Sequence, residues 1–121
     1  MKREEPIQKA IVDYLRQQYP RAITHHCRNE INKRGANIAR ELARAKQLGA
    51  VAGFPDIIFL PGEKVAFFEV KAEGNYASPA QKAVHQAMAD LGYFCAVVRS
   101  IDDVKEALSE WGISEEIRGV A

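Results

Sequence analysis

A chain of 121 residues is the size of one compact domain, long enough to bury roughly two thirds of its unfolded surface without disulfides or a structural metal. No window approaches the ~20 consecutive apolar residues of a membrane span, so no membrane partner is expected. The net charge of +1 conceals an asymmetry: residues 1–53 carry eleven Lys/Arg against five acids, and the remainder carries six against eleven. Such polarity suits a protein that grips phosphates with its basic part and holds a divalent cation with its acidic part.

The opening run Met1-Lys2-Arg3-Glu4-Glu5-Pro6 lacks the apolar stretch and cleavage site of a secretory signal. The two cysteines, Cys27 and Cys95, are far apart and unpatterned, so a reducing, cytoplasmic setting is expected. Ile7, Ala10, Ile11, Tyr14 and Leu15 make one helical stripe and Pro6 suits a first turn, which predicts a helix over about 5–18. A short strand is expected within 21–28, where Ile23, Thr24 and Cys27 follow Pro20. Its His25-His26-Cys27 is no metal site, because strand geometry points the two histidines to opposite faces. Residues 29–37 are polar and aperiodic and read as a loop. A second helix is expected over about 38–48, with Leu42 inward, Arg40 and Arg44 stacked four apart, and Gly49 as its stop.

Residues 56–60 and 65–70 are apolar runs of strand length separated by Pro61-Gly62-Glu63-Lys64, so they read as a β-hairpin. Neither run alternates cleanly between apolar and polar residues, which places the hairpin at the centre of a sheet covered on both faces. A third helix is expected over 79–91, with Ala80, Ala83, Val84, Ala87 and Leu91 on its inner face and Gly92 ending it. Residues 93–99 read as a strand, and Ser100 with Asp103 resembles a capping box before a helix reaching about Trp111. The order α-β-α-β-β-α-β-α implies an α/β fold with a mixed sheet flanked by helices. No linker divides the chain, so one domain over 1–121 is expected, with 114–121 as a flexible tail.

Ionisable residues in a strand covered on both faces cost several kcal/mol unless paired or metal-bound, so Asp56, Glu69 and Lys71 require a reason. With a four-residue loop the antiparallel register sets Asp56 opposite Glu69; a two-residue Pro-Gly turn sets it opposite Phe67 instead. In the first case the two carboxylates can share a hard divalent cation such as Mg²⁺, and Lys71, two residues on, lies on the same face. The bland alternative is a salt bridge between Lys71 and one of the acids.

Gly53-Phe54-Pro55-Asp56, then Phe68-Glu69-Val70-Lys71-Ala72, then Ser78-Pro79-Ala80-Gln81 opening a helix, resemble the VRR-NUC domain, a branch of the PD-(D/E)XK nucleases. The N-terminal Glu4-Glu5-Pro6-Ile7-Gln8 is similar to the family's opening signature, and the resemblance spans residues 4 to about 108. The stretch behind the family's name is matched here only by Val98-Arg99-Ser100, with serine last.

The resemblance implies a restriction-endonuclease-like fold and a metal-dependent deoxyribonuclease. Asp56, Glu69 and the backbone carbonyl of Val70 would hold Mg²⁺ or Mn²⁺, together with Glu4 or Glu5 from the first helix; spacing to Gln8 favours Glu4. Lys71 would orient and help deprotonate the attacking water, and Gln81 would bond a phosphate or water. Arg28, Lys33, Arg34, Arg40 and Arg44 are candidates for DNA-backbone contacts, with Ser78 beside them. Stand-alone relatives of this size, as in bacteriophages, resemble homodimeric enzymes that cut Holliday junctions, so branched DNA and a homodimer are the expected partners. Trp111 and Ile113 are candidate dimer contacts. A flap or general DNA nuclease, and a non-catalytic nucleic-acid-binding module, are the alternatives.

Overall fold

The computed structural model describes residues 3–27 and 38–113. In chain order these form helix α1 (Glu5–Gln18), strand β1 (Ile23–His26), helix α2 (Ile38–Gln47), strands β2 (Ile57–Leu60) and β3 (Ala66–Val70), helix α3 (Pro79–Asp90), strand β4 (Phe94–Val98) and helix α4 (Ile101–Glu110). This is the expected order. The four strands form one mixed sheet, β1-β2-β3-β4. β1 and β3 run antiparallel to β2, while β4, reached through α3, lies parallel to β3. The predicted hairpin is therefore central, and all five residues of β3 are buried.

Alternation along β3 divides two environments. Ala66, Phe68 and Val70 join Ile57 and Phe59 in a core closed by Ile11 and Leu15 of α1 and Val104 and Leu108 of α4. Phe67 and Glu69 point to the opposite face, where Phe67 meets Phe54 and Tyr93 edge-on and α3 covers Glu69. Ile11, Val12 and Leu15 bury the inner stripe of α1, whereas Ala10, expected inside, is exposed.

Two faces differ from expectation. In α3 the alanines 80, 83 and 87 and Leu91 are exposed, and the helix turns Gln81, Val84, His85 and Met88 inward. Those positions form a stripe displaced by one residue; three alanines offer little apolar area, and Met88 together with hydrogen bonding to Glu69 decides the rotation. Leu42 of α2 is 50% exposed rather than inward, because α2 makes no substantial contact with another described helix or strand.

Gly49 and Gly53 both take positive φ, at 102° and 84°. Gly53 has a steric reason as well: a Cβ there would lie 2.6 Å from the backbone of Ala80. The turn before β2 is thus pressed against the first turn of α3.

Candidate active site

The hairpin register pairs Ile57 with Phe68 and Phe59 with Ala66, so one further step sets Asp56 level with Glu69. This is the arrangement of the four-residue loop. Asp56 is anchored on both sides: its backbone oxygen accepts from Cys27 N–H at 2.7 Å, and its Oδ2 accepts from Val70 N–H at 2.7 Å.

Glu69 is only 1% exposed. Burial, a hydrogen bond to Asp56 and the charges of Asp56 and Glu4 push its pKa up to about 9, while Lys71 partly opposes them. The protonated form of Glu69 is thereby favoured, with the Asp56 carboxyl group as its hydrogen-bond partner. From the α3 side, Gln81 Nε2 donates to Glu69 Oε2 at 3.3 Å, and His85 Nε2 lies 3.4 Å from Glu69 Oε1. Burial, reinforced by the Lys71 cation, holds the His85 imidazole below its usual pKa and hence neutral near pH 7.

The other half of the Gln81 amide closes a capping box. Its Oε1 accepts from Ser78 N–H at 2.8 Å, and Gln81 N–H donates to Ser78 Oγ at 3.1 Å. Ser78 thus caps α3 in this structure, and Gln81 links that cap to Glu69. At the start of α1, Glu4 occupies the cap position without capping through its side chain. Its carboxylate instead receives Asn75 Nδ2 at 3.4 Å, and its charge is felt by Glu69. Glu5 is exposed.

Among the described residues no three His, Cys, Asp or Glu side chains are gathered into a preformed cation cage. The donor chemistry nevertheless fits a hard divalent ion. Asp56 and Glu69 present oxygen ligands held together by a proton that a cation can displace, with Glu4 near and Lys71 alongside.

A family model for the VRR-NUC domain matches residues 2–102. The chain belongs to the VRR-NUC domain family. A solved structure described as a VRR_NUC domain protein is 24% identical and superposes with a TM-score of 0.68, covering 92% of this chain and 90% of the other. That likeness fixes the fold, which is restriction-endonuclease-like. No curated protein matches the chain. As a VRR-NUC domain the chain is a nuclease, and a nuclease domain implies binding to DNA.

The structure brings Asp56, Glu69 and Lys71 together at one end of the hairpin, with Gln81 reaching Glu69 from α3, Val70 N–H donating to Asp56 and Glu4 at the margin. Arg40 and Arg44 are exposed on α2, while Arg28, Lys33, Arg34 and the 114–121 tail lie outside the described residues. Ile113 is not a surface contact, being 3% exposed in the core, while Trp111 is partly buried and stacks on Phe94 with ring centroids 5.2 Å apart. Folding uses both side chains against α4 and the sheet. His85 escaped the sequence reading. Its spacing of four from Gln81 was the available signal, since positions four apart share a helical face.

Proposed function

We propose that this chain is a metal-dependent, structure-specific DNA endonuclease that cuts four-way junctions as a homodimer. The observation that carries the reading is the buried Glu69 carboxyl group, hydrogen-bonded to Asp56 and flanked by Lys71 on the same face. A purely structural pair in this position would be replaced at little cost by apolar residues, whereas a cation site requires these groups.

Asp56, Glu69, the Val70 carbonyl and Glu4 would hold Mg²⁺ or Mn²⁺. The ion would supply Lewis-acid polarisation of the scissile phosphate and charge stabilisation. Lys71 orients the attacking water, and its positive charge favours loss of that water's proton to bulk solvent by stabilising the hydroxide left behind. Gln81 and His85 fix the Glu69 carboxylate from α3, so that its oxygens stay directed toward the site. Arg40 and Arg44, with Arg28, Lys33, Arg34 and Ser78, contact the DNA backbone. Cutting a four-way junction needs two strands severed symmetrically, which a two-fold pair of such domains supplies. Exposed Leu42, Leu48 and Val51, on α2 and just after it, offer apolar surface for that pairing.

The test is cleavage of labelled four-way junctions, flaps and linear duplex with Mg²⁺, Mn²⁺ or EDTA. Metal-dependent cutting fastest on the junction, lost in Lys71→Ala with DNA binding retained, is expected. Cutting fastest on flaps would move the reading to a flap nuclease. Absence of metal-dependent cutting by the folded protein on every substrate would remove it.

A further inference from the structure

A cavity of about 370 Å³ opens between the first turns of α1 and the junction of β4 with α4. Pro6, Ile7, Ala10 and Ile101 make its walls aliphatic, and Arg99, Ser100 and Asp102 supply polar groups at its open rim. Its size falls in the ~300–1,000 Å³ range of small-ligand clefts, and its mixture of apolar wall and few polar groups is typical of them.

Hydrogen bonds tie the lining of the cavity to the candidate active site by two routes. Lys71 N–H donates to the carbonyl of Val98 at 3.0 Å, immediately before Arg99. Arg99 Nη2 in turn donates to the carbonyl of Asn75 at 2.7 Å, and Asn75 Nδ2 reaches Glu4, two residues before Pro6. The junction itself is held in place: Asp103 accepts from Arg99 N–H at 2.8 Å, and Asp103 N–H donates to Ser100 Oγ at 3.1 Å. Over the same edge the Arg99 guanidinium stands 5.5 Å from the ring centre of Tyr76, which is 76% exposed.

We propose that this cavity receives one nucleobase of the strand being cut, taken from the branch point where stacking is interrupted, and so favours branched DNA over continuous duplex. The inference rests on the nuclease reading and deepens it. A nucleobase has apolar faces and hydrogen-bonding edges, matching the aliphatic walls and the Arg99 and Ser100 groups. A base within continuous duplex must first be unstacked and unpaired to reach such a recess, at a cost that is lower where stacking is already interrupted. Tyr76 and Arg99 extend the cavity with a flat aromatic and cationic edge on which a neighbouring base can stack.

The experiment measures binding in EDTA, where cutting does not intervene. A fluorescein-labelled four-way junction carries one tetrahydrofuran abasic residue, stepped through the positions that flank the branch point. One position should raise Kd about tenfold, the loss of one stacked base. Ala10→Phe, which fills the cavity from an exposed helical position, should flatten the profile; Ala10→Leu does the same if the larger ring perturbs folding. A flat profile with the unaltered protein would overturn the proposal. So would a step that survives both substitutions, since the base would then bind elsewhere. Parallel cutting with Mg²⁺ or Mn²⁺ separates the two readings: cutting with a flat profile sinks the base subsite alone, while a stepped profile without cutting sinks the nuclease assignment alone.

Discussion

Gln81 joins the cap of α3 to Glu69, accepting from Ser78 N–H through Oε1 and donating to the Glu69 carboxyl through Nε2. A residue that opens a helix therefore also orients a buried acid on the central strand. Gln81→Ala should lose both functions, with stability falling by about 1 kcal/mol as for other lost caps. Cleavage should fall ~10–100-fold, as for outer partners of metal ligands. Gln81→Glu separates the two. It keeps a capping-box acceptor but sets a carboxylate against Glu69, so activity should fall while the melting temperature changes less than in Gln81→Ala. His85→Ala, which frees the other Glu69 oxygen, should cost about tenfold in kcat/KM. Steady-state kinetics and thermal melts on the three variants check these outcomes.

The raised pKa of Glu69 makes stability pH-dependent. The folded protein keeps a proton up to about 9 that an unfolded chain with the ordinary value of 4.5 gives up. Between those values the native state binds more protons, so stability falls as pH rises. Thermal melts in EDTA should show the melting temperature declining across that window. Glu69→Gln, which cannot ionise, should flatten the decline. An equal slope in the variant would show that other groups cause it.

Gly53 joins the turn before Asp56 to the helix that bears Gln81 and His85. Gly53→Ala places a Cβ 2.6 Å from the Ala80 backbone at a φ of 84°, so both strain and collision oppose it. The expected loss exceeds ~1 kcal/mol, because the neighbour is backbone and cannot swing away. Chemical denaturation measures that loss. Activity should drop further than stability alone accounts for, since α3 moves relative to Glu69.

Most of the fold was legible because its signals were local. Apolar run lengths and the Ser78–Gln81 motif marked the hairpin and the start of α3, while the register stayed open between two turn lengths until the structure paired Ile57 with Phe68 and so set Asp56 level with Glu69. The inner face of α3 was not legible. Its alanines suggested one stripe, but a buried acid on β3 drew in Gln81 and His85 one position away, a tertiary cause that periodicity does not carry. The cavity beside Arg99 depends on two chain segments from opposite ends of the described chain, and no motif announces it.

Arg40 and Arg44 are exposed on one turn of α2, a face suited to backbone phosphates. Each Arg→Ala change should weaken binding to all DNA sequences alike and reduce the slope of log Kd against log salt by about one. Fluorescence anisotropy over a salt series reads this directly. A weakening confined to one sequence would instead indicate base contact.

The central claim is that Asp56 and Glu69 exchange the proton between them for a divalent cation beside Lys71. Calorimetric titration with Mn²⁺ near neutral pH, repeated in buffers of different ionisation enthalpy, counts protons released per ion bound. Release of about one proton per ion, abolished in Glu69→Gln, is the expected result. Mn²⁺ binding that releases no proton, or that survives unchanged in Glu69→Gln, would contradict the claim.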